Sequence, residues 1–190
     1  ERIELLEAVR QIKPTVLLGT STVHNGFTRE IVEAMSAGVQ RPIVFPISNP
    51  TSRIEAMPAD VIAWSRGKAL VAVGIPVEPV QYDGVTYEIG QANNALVYPG
   101  LGLGAIVSGA SKVTAAMLLA AAEAVAGQVD VGAPGAPLLP PIENLRASSA
   151  TVAVAVAKAA VADGVATVRS ENWVQAVQDA MWQPTYPENA

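Results

Sequence analysis

Short apolar runs closed by glycine or proline alternate with amphipathic stretches over the first half of the chain. Ile3, Leu5, Leu6, Val9 and Ile12 recur at helical spacing, so the chain opens in a helix. Pro14-Thr15-Val16-Leu17-Leu18-Gly19 then reads as a buried parallel strand, followed by polar Thr20-Ser21-Thr22. The next helix runs from about Thr28 to Ala37, with Ile31, Val32 and Met35 on one face, and stops at Gly38. Pro42 to Pro46 forms a second strand, whose exit is Ser48-Asn49-Pro50-Thr51. A helix over 58–65 starts with proline in its first turn and ends before Gly67. Residues 69–73 form a third strand, stopped by Gly74. Three repeats of strand, polar turn and helix predict an α/β fold with a parallel sheet and right-handed crossovers.

Asp83-Gly84 between alternating residues in 80–88 predicts a β-hairpin. Beyond Asn93 strand signals fade, and segments 113–126, 144–163 and 171–182 read as helices. "TVAVAVA" (151–157) has strand alternation as well, but its length and alanine content favour helix. A Gly/Pro-rich stretch over 127–141 sets the expected boundary: 1–127 as the sheet-bearing part, 128–190 as linker and C-terminal helical segment.

Composition narrows the function. Half of the 190 residues are hydrophobic and only 5% aromatic, the texture of small-residue helices packed on a parallel sheet. A net charge of −5 with scattered basic residues argues against nucleic acid. Absence of cysteine excludes disulfides and thiolate zinc sites, leaving a cytoplasmic enzyme-like chain as the default. No signal peptide is apparent. Residues 89–111 carry no charge, yet Gln91, Asn93, Asn94, Pro99 and five glycines make them a poor membrane span, so no membrane partner is expected. The first residue is Glu1, inside the opening helix, which reads as a piece of a longer protein.

Ligands of open α/β sheets bind beyond the carboxyl ends of the strands. That rule selects Thr20, Ser21, Ser48 and Asn49, although Ser and Asn after a strand also cap turns. Asn93 and Asn94 form a second polar island, and one helix cap explains one asparagine rather than two. An amide supplies donors and an acceptor without charge, suited to orienting a carboxylate or hydroxyl. Gly100-Leu101-Gly102-Leu103-Gly104-Ala105 fits G-x-G-x-x-(G/A), with Glu123 at the distance of a ribose acid. However, Pro99 interrupts the strand such a fingerprint requires, and helix follows, so close helix packing is the preferred reading. His24, the single histidine, is more often a bystander than a base in such a loop. Lys13, Lys68, Lys112 and Lys158 have no acidic or aromatic partner in sequence. No catalytic residue and no metal-ligand cluster is visible.

The stretch "FPISNPTSRIEAMPADVIAWSRGKALVAVGIPVEPVQYDGVTYEIGQANNALVYPGLGLG" resembles the C-terminal half of malic enzymes and of the closely related malolactic enzymes. "KPTVLLGTSTVHNGFTREIVEAM" is similar to the family's next-to-last strand and helix of the NAD domain, and "AMWQPTYP" to its C-terminus. The resemblance implies a Rossmann-like NAD-binding region. It implies substrate-binding roles for Asn49 and Asn94, and cofactor-binding roles for Gly19, Thr20, Ser21, Ser48 and Asn93. It further implies L-malate and pyruvate as ligands, NAD as cofactor with NADP as the alternative, and a homodimer or homotetramer. The family's phosphate loop, its catalytic Tyr and Lys, and its acidic Mg or Mn ligands match nothing in this chain and are expected upstream of it. The chain alone is therefore expected to be inactive and, with its sheet incomplete, to associate. Two alternatives stand: a malolactic enzyme, and a non-catalytic cofactor-binding or regulatory module.

Overall fold

The computed structural model describes residues 3–183. Within these, the backbone forms two compact units, 3–93 with 128–141, and 94–127 with 142–183.

The first unit is the α/β part. Its elements are α1 (Leu5–Ile12), β1 (Val16–Gly19), α2 (Arg29–Gly38), β2 (Ile43–Pro46), α3 (Pro58–Trp64), β3 (Leu70–Val73), the hairpin β4 (Val80–Tyr82) and β5 (Val85–Tyr87), and β6 (Gly90–Gln91). The strands run parallel in the order β1-β2-β3-β6, with Leu17 beside Val44, Val44 beside Val71 and Val73 beside Gln91. Side chains alternate faces along a strand. Leu17, Val44, Val71 and Val73 join Val9, Ile31, Val32, Met35, Ile54, Val61 and Ile62 in one buried core. Val16 and Leu18, on the opposite face of edge strand β1, remain 47% and 58% exposed. The hairpin turns on Asp83 and Gly84, both at positive φ, which a tight turn of this kind requires.

Segment 128–141, expected as part of the linker, belongs to this unit. Gly135 O accepts from Glu88 N at 2.9 Å, Val131 O accepts from the Arg41 guanidinium, and Leu139 lies where a Cβ on Gly90 would be.

The second unit contains α4 (Tyr98–Val107), α5 (Ala115–Ala126), α6 (Leu145–Ala162) and α7 (Trp173–Ala180). Thr114 caps α5 by accepting from Met117 N at 3.2 Å, and Asn172 caps α7 by accepting from Gln175 N at 3.1 Å. α6 is long and apolar enough to cross a membrane. Its composition has a packing explanation, since α4, α5 and α7 all pack on it and Val152, Ala153, Val156, Ala157 and Ala160 are fully buried.

Candidate functional site

Parallel pairing brings the carboxyl ends of all four strands to one edge of the sheet. Gly19 lies beside Pro46, and the ladder extends past both strands when Ile47 N donates to Gly19 O at 3.1 Å. On the other side Ala92 N donates to Val73 O at 2.8 Å, carrying the β3–β6 pairing up to the residue before Asn93. The loops leaving this edge are therefore Thr20-Ser21, Ser48-Asn49, Gly74 and Asn93. β6 is only two residues long and shows no periodicity, so the sequence gives no sign that Asn93 also follows a strand end. Asn94 is the next residue and opens a 3-10 turn of the second unit, Asn94–Leu96, with its carbonyl accepting from Val97 N at 3.1 Å.

Beneath two of these loops lies a side chain that no sequence pattern marks. Glu55 is fully buried, in the segment that follows a 3-10 turn at Thr51–Arg53. Its Oε1 accepts from Ser21 N at 2.7 Å, Ser21 Oγ at 2.9 Å and Ser48 Oγ at 2.5 Å, and its Oε2 accepts from Ser48 N at 3.3 Å. All four donors are uncharged. Burial by itself raises the carboxyl pKa, but the hydrogen bonds from Ser48 and Ser21 outweigh it and hold Glu55 below its ordinary 4.5. Glu55 is thus a buried ionised group made tolerable by converging uncharged donors. Its backbone is pinned too: Glu55 O accepts from Phe27 N at 2.9 Å and Ile54 O from Asn25 N at 3.1 Å, closing the loop after β1 over it.

The two serines are consequently oriented. Each spends its hydroxyl proton on Glu55 and turns its oxygen to a neighbouring amide. Ser48 Oγ accepts from Thr22 N at 3.0 Å and Ser21 Oγ from Val23 N at 3.2 Å. Gly19 is constrained by the same group, because a Cβ would stand 2.6 Å from Glu55 Cδ and would displace the carboxylate. Gly74 is similarly constrained, with Ile47 O 2.4 Å and Asn49 Oδ1 2.8 Å from the position of its missing Cβ. Of the residues selected from sequence, Ser48 is buried, whereas Thr20, Ser21, Asn49, Asn93 and Asn94 are exposed. His24 is exposed in the loop after β1.

The glycine run over 100–105 lies in α4 and is not a phosphate loop. A Cβ on Gly100 would meet Val152 Cβ at 2.5 Å, and one on Gly104 would meet Ala153 O at 2.6 Å and Val156 Cβ at 2.7 Å. These two glycines let α4 approach α6; Gly102 faces away, with nothing within 4 Å. Among the described residues no group of three or more His, Asp or Glu side chains is placed to hold a metal ion.

The family described as "Malic enzyme, NAD binding domain" matches residues 1–161. The chain is 59% identical over 184 residues to NAD-dependent malic enzyme 3 of Bacillus subtilis, covering 97% of this chain and 32% of that protein. It is 50% identical over 183 residues to a malolactic enzyme of Lactococcus lactis, covering 96% of this chain and 34% of that one. Among solved structures, the malic enzyme of Pyrococcus horikoshii superposes with a TM-score of 0.72 at 26% identity, over 92% of this chain and 36% of that protein. The chain thus spans about a third of the length of the curated relatives it matches. A Rossmann-like parallel sheet whose strand ends carry Thr20, Asn49 and Asn93, together with a family match over most of its length, makes this chain a member of the malic enzyme family, carrying NAD-binding-domain sequence.

Proposed function

We propose that the whole protein is an NAD-dependent malic enzyme that converts L-malate to pyruvate and CO2. The observation that carries this reading is the shared edge of four parallel strands, where exposed Thr20, Ser21, Asn49 and Asn93 leave the sheet beside the side-chain-free Gly19 and Gly74. Such an edge fits the nicotinamide and ribose end of a dinucleotide, which needs uncharged donors and acceptors and close backbone approach. NAD, when bound, would supply a hydride acceptor for C2 of malate, and a Mg or Mn ion, for which the described residues offer no ligand cluster, would supply Lewis acidity at the oxygen of that carbon. In this reading Gly19, Thr20, Ser21, Ser48 and Asn93 serve the cofactor, and the amides of Asn49 and Asn94 serve malate. None of these groups exchanges a proton near neutrality, so their contribution is positioning. Catalytic acid and base come from outside this chain, and the chain alone is inactive.

NAD rather than NADP follows the relatives named as NAD-dependent. The likeness to a malolactic enzyme favours a second reading, in which pyruvate is reduced to lactate before release. Incubating the whole protein with malate, NAD and Mg separates the two. Steady NADH with pyruvate supports the malic reading, and lactate without NADH supports the other. The protein acts as a cytoplasmic homodimer or homotetramer in this proposal; its mass by light scattering and fractionation of cells check those two points.

A further inference from the structure

We propose that Glu55 is a positioning residue for the cofactor: its carboxylate holds the loops after β1 and β2 in one arrangement and thereby sets the KM for NAD. The inference rests on the dinucleotide reading above and adds to it a residue that faces no ligand.

The geometry is specific to a carboxylate. Four donors from two loops, 34 and 7 residues away in sequence, converge on its two oxygens. A group with any donor of its own leaves at least one of them facing another N–H or O–H. Because both serine hydroxyls donate to Glu55, both oxygens are fixed as acceptors for Thr22 N and Val23 N, which sets the path of the loop after β1. The exposed residues sit directly on this frame. Thr20 lies between Gly19, packed on Glu55 Cδ, and Ser21, bonded to Glu55 twice; Asn49 follows Ser48, bonded to Glu55 through its amide and hydroxyl. One buried charge therefore fixes the backbone beside exposed side chains of two different loops. A group that only added stability would need no such concentration at a single sheet edge.

The test uses the whole protein and the variants Glu55→Gln and Glu55→Asp. Glu55→Gln keeps the volume but places an amide N–H2 among the donors; Glu55→Asp keeps the charge and withdraws it by one methylene. In Glu55→Gln the KM and the equilibrium Kd for NAD are expected to rise about ten- to hundredfold, the loss expected when hydrogen bonds to a charged group are disrupted. The KM for malate is expected to rise by less, because Asn49 follows Ser48 on the same frame, and in Glu55→Asp both constants are expected to fall between those of wild type and Glu55→Gln. Hydrogen exchange of the amides of Ser21, Thr22 and Ser48 is expected to accelerate in parallel. Should Glu55→Gln not fold, Glu55→Asp carries the same comparison. Unchanged KM and Kd for NAD, with kcat reduced only by the unfolded fraction, would overturn the inference while leaving the functional reading intact. A wild-type protein that does not bind NAD would overturn that reading, and the inference with it.

Discussion

Ser21 and Glu55 are joined twice, the serine amide and hydroxyl both donating to Glu55 Oε1, at 2.7 and 2.9 Å. With the Ser48 hydroxyl on the same oxygen at 2.5 Å, this ties the exits of adjacent strands through one buried charge. The site edge is consequently held by the loop that follows Asn49 rather than by the sheet ladder alone.

Removing that charge leaves donors buried and unpaired. Glu55→Ala is expected to destabilise the protein by about 2–4 kcal/mol, since it orphans several hydrogen-bonding groups and opens a cavity. Denaturant unfolding measures this, and a loss below about 0.5 kcal/mol, the scale of a surface substitution, contradicts the network's importance.

Stability is expected to depend on acid through the same group. The folded pKa of Glu55 lies below its ordinary 4.5, so its contribution is present above the unfolded value and is lost as pH falls through the folded one. Unfolding free energy measured downward from neutrality should therefore decline more steeply below about pH 4.5 in wild type than in Glu55→Gln. Parallel profiles of the two proteins would show that Glu55 does not titrate in this way.

The glycines of α4 separate into two kinds. Gly100→Ala and Gly104→Ala force a methyl against α6 and are expected to cost about 2 kcal/mol or more each. Gly102→Ala meets nothing within 4 Å and should be neutral or gain up to about 1 kcal/mol from helix propensity. Thermal unfolding of the three variants checks the contrast, and equal effects would refute the packing assignment.

β1 is the edge strand of the described sheet and presents Val16 and Leu18, 47% and 58% exposed, and edge strands are templates for pairing with another chain. The isolated chain is expected to associate, and Leu18→Lys to reduce that association. Light scattering showing a monodisperse monomer for the unmodified chain contradicts this expectation.

Much of the sheet was legible because buried parallel strands are short apolar runs with hard stops, as at Gly19, Pro46 and Gly74. The exit residues Thr20, Ser21, Ser48 and Asn49 followed from those stops. Glu55 was not legible: a lone acid between Ile54 and Ala56 in a Pro-flanked loop looks like a solvated charge, and two of its four donors arrive from 34 residues away. Its one local signal is that both sequence neighbours are apolar and, in the fold, buried. Segment 128–141 looks like a linker in sequence for a related reason. Its attachments are backbone carbonyls at Val131 and Gly135, which no side-chain pattern announces. The glycines of 100–105 matched a phosphate-loop spacing by letter, and the interrupting Pro99 correctly argued for helix.

The most direct test of the account is product analysis of the whole protein with L-malate, NAD and Mg, for wild type and Asn94→Ala. NADH and pyruvate are expected in equal amounts from wild type, with a marked loss of kcat/KM for malate in the variant. Lactate without NADH, or an Asn94→Ala variant with unchanged kinetics toward malate, would contradict it.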